Sequence, residues 1–193
     1  MRAVILCGGE SSRMGSDKGL LTYQSGTWAQ TAAEKFLQIN VNVVVSVNDQ
    51  QKPFYLRLFP EHQLITDDKN IRVRGPLLGL LSVHTQFPGE DLFVLACDMP
   101  LMQTGILTLL LQHAAIVNAE AYLFTRDGFY EPLCGIYTAA GLSRVLLLQK
   151  TQQLAKHSMT FVLEELNTSS IPLTDEQKKY FKNINTHTEL DGL

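Results

Sequence analysis

Basic runs are missing from this sequence. Its 16 Lys and Arg are outnumbered by 19 Asp and Glu, the formal net charge is −3, and nowhere do Lys or Arg gather into a stripe. A nucleic-acid binder needs such a stripe to neutralise phosphates, so no nucleic-acid partner is expected. Long apolar runs are missing too. None approaches the roughly 18 residues of a membrane-spanning helix, and no membrane contact is expected. Cysteine is scarce: Cys7, Cys97 and Cys134 are an odd number, far apart, with no CxxC and no Cys/His pairing. That pattern argues against zinc and against a disulfide framework, and for buried free thiols. The histidines show neither HxH nor HxxxH spacing, so a histidine metal site is not expected. Internal repeats, low-complexity tracts and linkers are absent. The opening MRAVIL runs into a glycine loop instead of a cleavage-site pattern, and the expected location is cytoplasmic.

What is present is material for a core. The chain has 193 residues, 45% of them hydrophobic and 18% charged, which fits a single globular domain spanning 1–193. Arg2 to Leu6 is a continuous apolar run ending at Gly8-Gly9, the pattern of a strand buried on both faces. Trp28, Ala32, Ala33, Phe36 and Leu37 recur at helical spacing, predicting a helix from about Thr27. Val41 to Val47 is β-branched and reads as a strand. Gln51 to Phe59 reads as a helix with Pro53 in its first turn, and Gln63 to Thr66 as a short strand. Pro76 starts a helix to about Gln86, followed by a buried strand from Asp91 to Cys97. A helix over Thr104 to His113 and strands over Ala119 to Thr125 and Tyr130 to Tyr137 come next. Helices over Gly141 to Gln149 and Phe161 to Leu166 and a strand over Ser169 to Leu173 complete the alternation. The fold class is α/β: one doubly wound, mainly parallel, Rossmann-like sheet. In such sheets ligands bind beyond the carboxyl ends of the strands, and the polar clusters of this sequence fall there.

The richest of these clusters follows the first strand: Leu6-Cys7-Gly8-Gly9-Glu10-Ser11-Ser12-Arg13-Met14-Gly15-Ser16-Asp17-Lys18. Gly8 and Gly9 lack a Cβ, so their backbone N–H groups can approach a phosphate closely. Arg13 and Lys18 add two cations, and a triphosphate is the partner that needs amide donors and positive charge together. The spacing fits neither GxGxxG nor a Walker loop, because five residues separate Gly9 from Gly15 and Ser16-Asp17 follow. Asp98 directly follows the buried strand LFVLAC. A carboxylate there is a hard oxygen ligand suited to Mg²⁺, with an Asx turn as the structural alternative. Asn48, after Val43 to Val47, either touches a base or ribose or closes a turn. Gly79 inside a helix costs about 1 kcal/mol relative to Ala, so something approaches closely there, either another helix or a ligand ring.

The run LCGGESSRMGSDKGLL resembles the signature of the molybdenum cofactor guanylyltransferases, with Cys7 where that family usually has Ala. The resemblance continues in Asp67 after Leu64 to Thr66, in Arg74-Gly75-Pro76-Leu77-Leu78-Gly79, in Cys97-Asp98-Met99-Pro100, in Pro132-Leu133-Cys134-Gly135-Ile136-Tyr137 and in the ending Phe181-Lys182-Asn183-Ile184-Asn185-Thr186. His187 replaces the usual Pro of that ending. The resemblance implies transfer of GMP from GTP to the terminal phosphate of molybdopterin, with Mg²⁺ as cofactor and pyrophosphate as leaving group. It implies nucleotide contacts from Leu6, Cys7, Gly8, Gly9, Lys18, Asn48, Asp67, Gly79 and Asp98, with Asp98 also the metal ligand. Arg13, Lys18 and Asp98 would be the catalytic set, and Asn183 and Asn185 would bind molybdopterin. The N-terminal part would thus take the nucleotide and the C-terminal part the pterin. Proteins that deliver molybdopterin, and chaperones of molybdoenzymes, are the candidate protein partners.

Three other readings stay open on sequence. A cytidylyltransferase acting on the same pterin shares the loop, though such relatives tend to open LAAG where this chain has LCGG. A sugar-phosphate nucleotidyltransferase is usually longer. A carrier module that binds nucleotide or molybdopterin without catalysis would have no need of Arg13, Lys18 and Asp98 together.

Overall fold

A computed structural model of the chain describes residues 1–8, 17–23 and 26–184. Gly9, Arg13 and Asn185 therefore lie outside the described residues. In chain order the elements are β1 (Arg2–Leu6), β2 (Thr22–Tyr23), β3 (Gly26–Thr27), α1 (Trp28–Leu37), β4 (Val43–Val47), α2 (Lys52–Tyr55), β5 (Leu64–Thr66), α3 (Pro76–Gln86) and β6 (Leu92–Ala96). There follow α4 (Thr104–Ile116), β7 (Ala121–Arg126), β8 (Phe129–Tyr137), α5 (Ala139–Lys150), α6 (Met159–Glu164), β9 (Thr168–Pro172) and α7 (Asp175–Lys178).

Seven strands form one sheet in the order β5-β4-β1-β6-β8-β7-β9, and β2 pairs β3 in a separate antiparallel ribbon. Every pairing in the large sheet is parallel except those of β8, which runs antiparallel between β6 and β7. The mainly parallel, doubly wound sheet expected from the alternation is the one observed. Side chains alternate across it, as the two-residue period of a strand requires. Ala3, Ile5 and Cys7 pack with Ala32 and Phe36 of α1 and Leu107 and Leu110 of α4 on one face. Val4 and Leu6 pack with Leu77 and Leu81 of α3, Val145 of α5 and Val162 of α6 on the other.

Several elements depart from the sequence reading. The helix expected from Gln51 to Phe59 is a single turn, Lys52–Tyr55. Pro53 supports that first turn, but the following residues break into turns before Pro60, which disfavours helix at the residue before it. β4 begins at Val43 because Val41 donates its N–H back to Phe36 at the end of α1. α4 runs one turn past His113 through Ala114, Ala115 and Ile116. The ribbon β2–β3, the antiparallel sense of β8 and the short helix α7 were not foreseen.

Candidate active site at the carboxyl ends of β1, β4 and β6

β1 is the hub of the site. Leu6 stands opposite Ser46 of β4 on one side and Ala96 of β6 on the other. The chain leaving β1 is therefore flanked by the turn after β4 and by Asp98 after β6. Cys7 extends both ladders: its N–H donates to the Ser46 carbonyl (3.0 Å), and the Cys97 N–H donates to the Leu6 carbonyl (3.2 Å).

On the β6 side, Lys18 Nζ lies 3.0 Å from Asp98 Oδ2, and both side chains are about four-fifths buried. The second oxygen of that carboxylate, Oδ1, is buried and has no hydrogen-bond partner among the described residues. A buried carboxylate oxygen left unsatisfied is costly unless something binds it. The Ile184 N–H donates to the Asp98 carbonyl (3.0 Å). Ile184 is itself fully buried beside Leu21 and Trp28. That anchor brings the exposed Asn183 alongside the Asp98 loop. The two cysteines at these strand ends point into the α1/α4 core. Hydrogen bonding to the Cys7 thiol, reinforced by burial, pushes the Cys97 thiol well above its ordinary pKa.

On the β4 side lies a cavity of about 560 Å³, lined among others by Leu6, Gly8, Ser46, Asn48, Asp67 and Gly79. Gly75, at φ +66, stands where a left-handed backbone is needed. No side chain caps the helix it introduces. Pro76 has no N–H and the Leu78 N–H donates to the Gly75 carbonyl (3.0 Å), so what the helix start offers an anion is mainly the positive end of its dipole. Burial, with the Asp49 carboxylate adding to it, raises the pKa of the Asp67 carboxyl. Ser46 is 1% exposed and its hydroxyl has no hydrogen-bond partner among the described residues.

The close neighbour of Gly79 is not another helix, and the glycine also lines the cavity. A Cβ there would collide with the Ser46 hydroxyl and come within 3.3 Å of Leu6 Cδ2. The close approach is of α3 to the strands, which brings the N-terminal turn of α3 against β1 and β4. Asn48 lines the cavity, but its Oδ1 already accepts from the Gln51 N–H at 2.9 Å. Its side-chain oxygen therefore closes a turn. Both backbone groups of Cys7 are engaged, the carbonyl by Gln51 Nε2 at 2.9 Å. Among the residues named from sequence, then, Leu6, Gly8, Asn48, Asp67 and Gly79 line one cavity, and Lys18 and Asp98 meet at the adjoining strand end with Asn183 nearby.

Asp17, Gln51 and Tyr55, which no sequence pattern singles out for the site, cluster at the base of Lys18. Asp17 caps the 3₁₀ turn Lys18–Leu20 by accepting from the Gly19 N–H (3.0 Å). It also accepts from Tyr55 Oη (2.9 Å) and Gln51 Nε2 (2.8 Å). The only sequence signal for this cluster was the glycine at position 19, where a Cβ would collide with the Tyr55 hydroxyl.

The comparisons agree with this geometry. A family model described as the MobA-like NTP transferase domain matches residues 3–168. The molybdenum cofactor guanylyltransferase of Campylobacter jejuni is 32% identical, over 99% of this chain and 94% of the relative. Among solved structures, molybdopterin-guanine dinucleotide biosynthesis protein A from Archaeoglobus fulgidus superposes with a TM-score of 0.78 at 22% identity, covering 100% of this chain and 96% of that one. A cytidylyltransferase from Leptospira borgpetersenii gives 0.69 at 16% identity over 96% and 81%. The structural likenesses speak for the fold, and the family match and the sequence relative go further. The chain belongs to the MobA-like NTP transferases, in the family of the molybdenum cofactor guanylyltransferases.

Proposed function

We propose that this protein transfers GMP from GTP to the terminal phosphate of molybdopterin, releasing pyrophosphate. The observation that carries the reading is the meeting of Lys18 and Asp98 beside a cavity of about 560 Å³ at the ends of β1, β4 and β6. The guanylyltransferase relative, 32% identical along nearly its whole length, supports the choice of substrates. The cavity takes the nucleoside, with Asp67 and the N-terminal turn of α3 at its wall. Lys18 lies against the phosphates; the phosphate roles of Gly9 and Arg13, which lie outside the described residues, rest on the sequence resemblance. Asn183, beside the Asp98 loop, takes the acceptor; the same role for Asn185, outside the described residues, rests on the sequence resemblance.

Mg²⁺ fits the residues present. It keeps several waters and asks a protein for one or two carboxylates plus substrate phosphate oxygens. Asp98 Oδ1 is an oxygen of that kind, buried and without a partner among the described residues. No cluster of three or more acidic, His or Cys side chains that would cage an ion exists among the described residues. Bound there, Mg²⁺ would offset charge on the phosphoryl oxygens. The residues do the rest. The acceptor phosphate is already a nucleophile, so aligning it in line with the α-phosphorus supplies most of the catalysis, and no covalent enzyme intermediate is required. Lys18 neutralises charge that builds toward the departing pyrophosphate.

Three free, buried thiols suit a reducing compartment, which supports a cytoplasmic site of action. A coupled pyrophosphate assay tests the function. Release that requires GTP and molybdopterin together is expected. Release with CTP in preference to GTP, or GTP binding with no release when molybdopterin is added, would overturn it.

A further inference from the structure

The turn between β4 and α2 holds a glutamine whose whole amide is committed. Gln51 Oε1 accepts from the Asn48 N–H (2.9 Å). Its Nε2 donates to the Cys7 carbonyl (2.9 Å) and to Asp17 Oδ2 (2.8 Å). A primary amide has two N–H donors, and both are spent. Flipping it would set oxygen against a carbonyl and a carboxylate, so the orientation is fixed. Four residues on, fully buried Tyr55 donates to the other oxygen of Asp17. Burial, with the Cys7 and Cys97 thiols beside it, raises the Tyr55 hydroxyl far above its ordinary pKa, so it remains a donor throughout the working pH range.

These bonds converge on the residue that precedes Lys18. Asp17 caps the turn in which Lys18 sits, and both its oxygens are held from the β4–α2 side of the molecule. Gln51 thereby ties together the end of β1, the turn that walls the nucleoside cavity at Asn48, and the base of the Lys18 side chain. Neither Gln51 nor Tyr55 bonds directly to Lys18 or Asp98 in this arrangement. They act through Asp17.

We propose that Gln51 and Tyr55 are positioning residues that hold Lys18 against Asp98 through Asp17. The consequence for the reaction rests on the function proposed above, whereas the placement of Lys18 does not. A misplacement of about 1 Å in such an arrangement costs on the order of 10²-fold in rate. Tyr55→Phe removes one hydroxyl and keeps the buried ring, so it is the variant least prone to misfold.

The test has two arms. In the free enzyme, acylation of Lys18 by an acetylating reagent is followed by peptide mass spectrometry, with Lys150 as the remote control. Tyr55→Phe and Gln51→Ala should each speed acylation of Lys18 severalfold and leave Lys150 unchanged. Equal rates at Lys18 in wild type and both variants, or a parallel rise at Lys150, would overturn the proposal whatever the reaction proves to be. In the assay with GTP and molybdopterin, each variant should lower kcat about 10- to 100-fold. Tyr55→Phe should leave KM for GTP little changed. In a Lys18→Ala background the same substitutions should have no further effect, because the group they place is gone. Full additivity would contradict the idea. Gln51→Glu supplies a pH signature: its activity relative to wild type should rise as pH falls, since only the protonated carboxyl can donate to Asp17. A ratio flat with pH would count against the role.

Discussion

Lys18 Nζ and Asp98 Oδ2 lie 3.0 Å apart across 80 residues of sequence, joined because β1 and β6 are neighbours in one parallel sheet. The lysine leaves the loop after the first strand and the aspartate the turn after the other. Their ammonium and carboxylate are the two charges that a triphosphate and its metal would separate.

Removing either charge should cripple turnover. Lys18→Ala and Asp98→Asn are each expected to lower the rate of pyrophosphate release by about 10²–10³, the scale of losing one preorganised stabilising group. The pair is about four-fifths buried, so leaving one partner without the other also costs stability; the melting temperature should fall somewhat while the variants remain folded. Steady-state kinetics beside a melting curve check both halves.

The packing of α3 gives a prediction about stability. Gly79→Ala improves helix propensity by about 1 kcal/mol, yet the new Cβ would strike the Ser46 hydroxyl. Overpacking of this kind costs about 1–3 kcal/mol, so the variant should be less stable and bind GTP more weakly. Ser46→Ala removes the oxygen in the way. The double variant should regain much of the loss, a non-additivity that denaturant titration would reveal.

Acid should weaken the fold through His84. The ring is 1% exposed, Nδ1 has no partner, and Nε2 lies 3.0 Å from the Ser143 hydroxyl. Burial lowers its pKa below the ordinary 6.5. The unfolded chain then binds the proton first, so stability rises with pH across this interval. The contribution is complete above about pH 6.5 and is lost as pH falls toward the depressed value. Melting temperatures measured between pH 7.5 and pH 5 should fall less steeply in His84→Gln than in wild type.

The thiols at the heart of the sheet should be inert. Burial raises the pKa of Cys134, and hydrogen bonding and burial together raise that of Cys97. Thiolate is the reacting form. At pH 8 neither should be alkylated by iodoacetamide in the native protein, and both should be alkylated in denaturant. Peptide mass spectrometry resolves the two sites.

Much of the fold was legible because its strands are buried runs punctuated by glycine, proline and aspartate. β1 and α3 begin and end where Gly8, Pro76 and the apolar spacing put them. β8 was found as a strand, but its direction depends on neighbours that no local pattern reports. The two-residue strands β2 and β3 are too short to show a period. In the site, Lys18 and Asp98 stood out as charges at strand ends, and parallel pairing brought them together. The contacts of Gln51 and Tyr55 with Asp17 span 34 and 38 residues. A buried tyrosine and a turn glutamine are ordinary residues until the tertiary fold aims them. Gly79 was rightly read as a point of close approach, and only coordinates could say that a strand serine is the neighbour.

The most direct test of the central claim is a crystal structure with GTP and Mg²⁺ bound. The triphosphate is expected against Lys18, the ion on Asp98, and the guanine in the cavity between Leu6, Asp67 and Gly79. A triphosphate bound elsewhere, with Lys18 and Asp98 still joined as in the free protein, would contradict it.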